Sequence, residues 1–224
     1  MHRKMAKIHI VGAGPGSPEY VTPIARKIVR EAQLVVGAER ILELFREDLR
    51  GEKIPLTAKN IKETIKYAIR RAEEGMNVVL LSTGDPCFSG LLKTVINIVG
   101  GNLDFDIIPG ISSIQACAAR LKISWDEAAL ASFHEGADEN RKNELFNALR
   151  KGKTAIVLPD PKAFKPREIA EFLIGKGLDG LTPVFICENL TLEGEKIIET
   201  TLEEASKLDF GSLCVMVVKP SERK

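Results

Sequence analysis

The stretch "KIHIVGAGPGSPEYVTPIARK", residues 7–27, decides the fold of the first half of this chain. Residues 8 to 11 are apolar and β-branched or alternating, which reads as a short strand. Gly12, Gly14 and Gly16 follow at every second position. Thr22 then supplies a helix N-cap and Pro23 the favoured first helical residue, so a helix is expected over residues 22 to 32. Strand, glycine loop and helix in that order describe the start of an open α/β sheet. Ligands of such sheets bind at the carboxyl ends of the strands.

Working outward, strand-like and helix-like segments alternate. Strands are expected at 7–11, 34–37, 77–82 and 105–108, and helices at 39–45, 60–74 and 91–99, with another beginning at Ser112. Residues 77 to 82 are almost continuously apolar, as a strand covered on both faces requires. The second half is richer in strands: 128–132, 154–158, 183–187, 196–200 and 213–218, with helices only around 138–149 and 166–174. This predicts an α/β protein of two α/β domains, the first with a mostly parallel sheet and the second with a mixed one. The expected boundaries are residues 1–121 and 122–224.

Composition narrows the function. The 224 residues carry 32 Lys and Arg against 31 Asp and Glu, a net charge of +1 that argues against a general nucleic-acid binder. Any polyanionic ligand must meet a local cluster of basic side chains. Cys87, Cys117, Cys187 and Cys214 form no CxxC pair, so reduced thiols are expected, with neither a disulfide framework nor a metal site. The apolar run after the basic opening is too short for a secretory signal, and no stretch approaches the roughly 18 apolar residues of a membrane span. The expected location is the cytoplasm.

The glycine loop itself fits the common phosphate cradles poorly. Its spacing is GxGxG, Ser17 stands where a dinucleotide fingerprint has its third glycine, and Pro18 pushes the helix away from the loop. No Gly-Lys-Ser/Thr follows, which removes a P-loop. The glycines alone leave a nucleotide-like ligand and a tight structural turn equally open. Two further stretches add weight: "LLSTGDPCFSG", residues 80–90, and "IIPGISSIQACAARL", residues 107–121. Three strands thus deliver Gly-, Pro- and Ser-rich loops to one rim, where backbone groups and hydroxyls can face a ligand.

Together these stretches resemble the tetrapyrrole methyltransferases. The resemblance spans essentially the whole chain: GxGPGxPxxxT at 12–22, the GDP loop, the PGISS turn, VLPD at 157–160 and ENL at 188–190. "VVGAERILELF" (35–45), "PGISSIQACAARLKISWDEAALASFH" (109–134) and "ENLTLEGEKI" (188–197) match the branch that methylates C5 of a cobalamin-pathway corrinoid precursor. The resemblance implies that S-adenosylmethionine binds in a cleft between the two domains, held largely by backbone groups. It implies cofactor contacts at Gly84, Asp85, Phe88, Ser112, Ser113, Leu158 and Asn189, and a substrate side formed by Gly14, Pro15 and Gly16. It further implies a homodimer and a separate enzyme for C15 methylation and decarboxylation.

Each of these residues also has a plainer reading. Asp85 can satisfy turn N–H groups, Ser112 and Ser113 can cap a helix, and Leu158 and Asn189 can be core and turn. The carboxylates of a precorrin call for basic residues. Arg40 in "GAER" is the leading candidate, followed by Lys59, Arg120, Arg141 and Lys142. His134, in "SFHEG", is a candidate for proton removal or propionate binding; the matching branch has His-Gly-Arg here, so an expected carboxylate clamp is missing. Methyl transfer from a sulfonium needs positioning and water exclusion more than a catalytic triad, and none is present. The alternatives are another methylase of the same fold, acting on a different ring position or on diphthamide, then a dinucleotide-binding oxidoreductase, then a non-catalytic corrinoid-binding module.

Overall fold

In a computed structural model, which describes residues 8–100 and 104–220, the chain forms two compact units, Met1–Ser112 and Ser113–Lys224. The first contains β1 (Ile8–Gly12), α1 (Pro23–Glu31), β2 (Leu34–Gly37), α2 (Glu39–Leu44), β3 (Glu52–Pro55), α3 (Ile61–Glu73), β4 (Val78–Ser82), α4 (Leu91–Val99) and β5 (Phe105–Ile108). Its five strands are all parallel, in the order β3-β2-β4-β1-β5.

Side-chain alternation along these strands divides the core into two layers. On one face, Val11, Val35, Val79 and Leu81 pack with Ala25 and Val29 of α1, with Ile41 and Leu42 of α2, and with Phe45. On the other, Ile8, Ile10, Leu34, Val36, Val78 and Leu80 pack with Ile65 and Ala68 of α3 and Val95 of α4. The chain leaves β1 over the first face towards β2 and leaves β4 over the second towards β5. Adjacent strands whose connections run to opposite sides open a crevice at their carboxyl ends. The residues at that crevice are the glycine loop after β1 and the GDP loop after β4.

One helix cap and one buried ion cluster fix the periphery. Thr22 Oγ1 accepts from Ala25 N at 3.3 Å, with Pro23 opening α1 as expected. Asp48, 1% exposed, accepts a hydrogen bond from Arg26 Nη1 at 2.6 Å and forms an ion pair with Arg30 Nη2 at 2.6 Å, so its buried charge is paired twice.

The second unit contains α5 (Ser113–Leu121), β6 (Ala129–Ser132), α6 (Glu139–Arg150), β7 (Ala155–Leu158), α7 (Pro166–Gly175), β8 (Pro183–Glu188), β9 (Lys196–Thr201), α8 (Leu202–Ala205) and β10 (Cys214–Val218). Its sheet is mixed, in the order β6-β7-β10-β8-β9: β6 and β7 are parallel, and the other neighbours are antiparallel. Helices α6, α7 and α8 cover one face, around Phe133, Val157, Phe164, Ile186 and Met216. Helix α5 packs against β7 and β10. That packing assigns it to the second unit, so the division falls nine residues before the expected one at 121/122.

Most expected elements are present within a residue or two; the expected start at Lys7 lies outside the described residues. Strand β3, the 3-10 turn Pro18–Tyr20 and the four-residue α8 were not anticipated. Leu80 is fully buried at the centre of the parallel sheet, so Leu80→Ala should cost about 2–5 kcal/mol and lower the urea midpoint of unfolding with little change in slope.

Candidate functional site

At the rim of the first sheet the three expected loops meet through their backbones. Gly14 N donates to Gly84 O at 3.3 Å, and Gly84 N returns the bond to Gly14 O at 2.9 Å. Ala13 N donates to Ser82 O at 2.9 Å. The third loop is drawn in by Asp85, whose Oδ2 accepts from Gly110 N at 3.0 Å while Oδ1 accepts from Cys87 N at 2.8 Å. A methyl group added at Gly110 would lie 2.4 Å from Gly84 O and 2.7 Å from Gly12 Cα. The glycines are therefore there, first, because three chains pass at contact distance. Gly14, Pro15 and Gly16 are buried, Ser112 is buried directly before α5, and Phe88 is half-buried in the GDP loop.

Asp85 fits the plainer reading made of it from sequence. Its two oxygens serve backbone N–H groups of its own loop and of the PGISS loop, and the Cys87 thiol bonds the same carboxylate. Arg40 lies in the first turn of α2 with its side chain exposed.

In the second unit, β6, β7 and β8 end at one rim, because β10 between β7 and β8 runs antiparallel to both. Leu158 is the last residue of β7, buried, and its carbonyl accepts from Phe133 N at 2.9 Å. His134 follows directly, on the surface. Partial desolvation lowers its pKa from the ordinary imidazole value, and the Asp160 carboxylate pulls the other way. Asn189 directly follows β8 in a left-handed conformation, φ 52°, with its N–H on Leu213 O at 2.9 Å. A small pocket on this rim is lined by Pro159, Asp160, Lys165, Phe210, Gly211 and Cys214, among others.

Sequence reasoning missed the acids that hold this rim. Glu188, 5% exposed, accepts from Gly211 N–H and pairs through Oε2 with Lys196 Nζ at 2.9 Å. Burial pushes its pKa up, but these two partners outweigh it and leave it below the usual value. Glu195 receives Arg120 Nε at 2.6 Å and Thr191 N at 2.6 Å, fixing the loop in which Thr191 is also left-handed, φ 66°. Three of the lesser basic candidates prove to be committed within the unit. Arg120 pairs with Glu195. Arg141 donates to Ser132 O at 3.2 Å and faces Glu135 and Asp138. Lys142 bonds Glu139 and lies 4.9 Å from the Phe164 ring centre. Charge content flagged these residues, but only tertiary placement shows their partners. Among the described residues no group of three His, Cys, Asp or Glu side chains could hold a metal, and no helix is long and apolar enough to cross a membrane.

The first unit's all-parallel sheet and the second unit's mixed sheet, each ending in loop-bearing rims, define a two-unit α/β architecture. Residues 7–206 match the family described as tetrapyrrole (corrin/porphyrin) methylases, and the chain belongs to that family. It is accordingly a methyltransferase of a family that uses S-adenosylmethionine. It is 45% identical to a probable cobalt-precorrin-7 C(5)-methyltransferase of Methanocaldococcus jannaschii, over 96% of this chain and 99% of the relative. It is 30% identical to the cobalt-precorrin-7 C(5)-methyltransferase of Salmonella typhimurium, over 84% and 87%. The crystal structure of a cobalamin-biosynthesis precorrin-6Y methylase from Archaeoglobus fulgidus superposes with a TM-score of 0.73 at 28% identity, over 97% of this chain and 99% of that one.

Two outcomes follow from the rims. Gly110→Ala should destabilise the first unit by about 1–3 kcal/mol, read as a lowered urea midpoint, because the added carbon meets backbone that cannot rotate away. The His134 imidazole, followed by NMR titration, should protonate below its ordinary value, and Asp160→Asn should lower that pKa further. The sign is fixed by charge: removing the carboxylate removes the one influence that favours the imidazolium. A pKa unchanged or raised in D160N would contradict the arrangement.

Proposed function

We propose that this chain transfers a methyl group from S-adenosylmethionine to C5 of a precorrin or cobalt-precorrin in cobalamin biosynthesis. The observation that carries the reading is the 45% identity to the Methanocaldococcus jannaschii relative along almost the full length of both chains.

The residues present suit the methyl donor. It carries a carboxylate, an ammonium group, a ribose diol and a flat base, and so needs both donors and acceptors. In this reading the first unit offers the hydroxyl of Ser112, the carboxylate of Asp85, the backbone of Gly84 at φ 66° and the half-buried ring of Phe88. The second offers the hydroxyl of Ser113, the apolar side chain of Leu158 and the carboxamide of Asn189. When bound, the donor supplies an electrophilic methyl on a sulfonium, so the protein contributes positioning and exclusion of water. In this reading the loop of Gly14, Pro15 and Gly16 faces the macrocycle, Arg40 meets one of its carboxylates, and His134, its pKa lowered by partial burial, accepts the proton lost from the methylated centre or binds a propionate. The same reading expects a homodimer, with C15 methylation and decarboxylation left to a separate enzyme.

The test is direct. Purified protein, S-adenosylmethionine and the corrinoid precursor should yield product heavier by one methyl group, with carbon NMR of labelled methyl placing it at C5. Attachment at another carbon would move the chain to a different branch of the family. S-adenosylhomocysteine at about 100 times its dissociation constant should stabilise the fold by roughly 2.7 kcal/mol in thermal unfolding, whereas NADH should leave the transition unmoved.

A further inference from the structure

We propose that Cys117 and Cys187 are a disulfide-forming pair that a two-electron oxidant of the peroxide class closes, tying α5 to β8. The two residues are 70 positions apart in sequence, yet their Sγ atoms stand 3.6 Å apart and both side chains are fully buried. A disulfide bond is about 2.05 Å long, so closure asks the two sulfurs to approach by less than a carbon–carbon bond and a half. Cys117 lies in the middle of α5, and Cys187 is the next-to-last residue of β8.

Strand alternation singles out this pairing from the other available one. Cys187 stands opposite Val215 in the β8–β10 ladder, whereas Cys214 stands opposite Glu188. Neighbouring residues of a strand point to opposite faces, so Cys214 lies on the face away from Cys187 and packs with the α6–α7–α8 core instead. Its thiol, pushed up to about 12 mainly by burial, is also the wrong nucleophile. In the close pair, Cys117 donates its S–H to Cys187. That bond holds Cys187 below the usual thiol value against its burial, and it pushes Cys117 up. The acceptor sulfur is thus the one prepared to attack.

The step balances simply. The Cys187 thiolate attacks one peroxide oxygen and the O–O bond breaks; the released hydroxide takes a proton and leaves as water, with Cys187 oxidised to a sulfenic acid. The Cys117 sulfur then displaces the hydroxyl from the Cys187 sulfur, its own proton leaving with that hydroxyl as a second water. Two thiols lose two electrons and two protons, and the peroxide is reduced. The bond would close a long loop, which restricts the unfolded chain most. It rests on the second unit alone and does not depend on the methyl acceptor.

The experiment uses the intact wild-type chain, reduced and then treated with hydrogen peroxide while warmed to allow local opening. Digestion without reductant should give the Cys117 and Cys187 peptides linked, two hydrogens lighter than their sum, and dithiothreitol should separate them. Thermal unfolding of the oxidised chain should rise by at least about 5 °C, and Cys187→Ser should abolish both the link and the rise. Exposed Cys87 reports that the oxidant has acted. A Cys187–Cys214 link, or both buried thiols still titrating after Cys87 is consumed, would overturn the proposal.

Discussion

The architecture of the first unit depends on the approach of three backbones at Gly12, Gly84 and Gly110. A side chain at Gly12 or Gly110 would begin inside the van der Waals envelope of a neighbouring loop. Because those positions are bare, the loops after β1 and β4 exchange two backbone hydrogen bonds, and Asp85 reaches across to the loop that leads into α5. The rim is thereby a rigid surface made mostly of main chain. Such a surface suits a reaction in which the electrophile arrives with the donor and the protein's task is alignment.

The second unit achieves comparable order by different means. Its rim is held by side-chain acids: Glu188 fixes the segment before β10, and Glu195, gripped by Arg120, fixes the loop after β8. Glu195 holds Thr191, and the Leu213 carbonyl holds the Asn189 N–H, in left-handed conformations that cost a non-glycine residue free energy. The first rim is shaped by what is absent from its residues, the second by charge placed at a distance.

This difference explains what could be read from the sequence. The parallel sheet was legible because strands such as residues 78–82 are apolar on both faces, and the three loops were legible because Gly, Pro and Ser cluster at strand ends. Strand β3 was not: "EKIP" is an edge strand with charged, solvated residues and a terminal proline, so it carries neither apolar alternation nor a continuous apolar run. The boundary was placed after α5 because that helix continues the first half's alternation in sequence, whereas its packing belongs to the second sheet. The pairing of Arg120 with Glu195 spans 75 residues. No local pattern encodes it, and a basic residue in an enzyme with an anionic substrate invites the wrong partner.

The position of β1 carries a consequence for how the molecule is made. Among the described strands it is the earliest in chain order, yet in the finished sheet both of its neighbours, β4 and β5, come from residues 78 onward. Throughout that interval Ile8, Ile10 and Val11 have no ladder to join, and their apolar surface must be carried unpaired. Strands β2 and β3 cannot shelter it, since β4 lies between them and β1 in the sheet. The nascent chain thus holds β1 in waiting until β4, residues 78–82, has been synthesised, and the glycine loop takes shape only when its partner loops arrive.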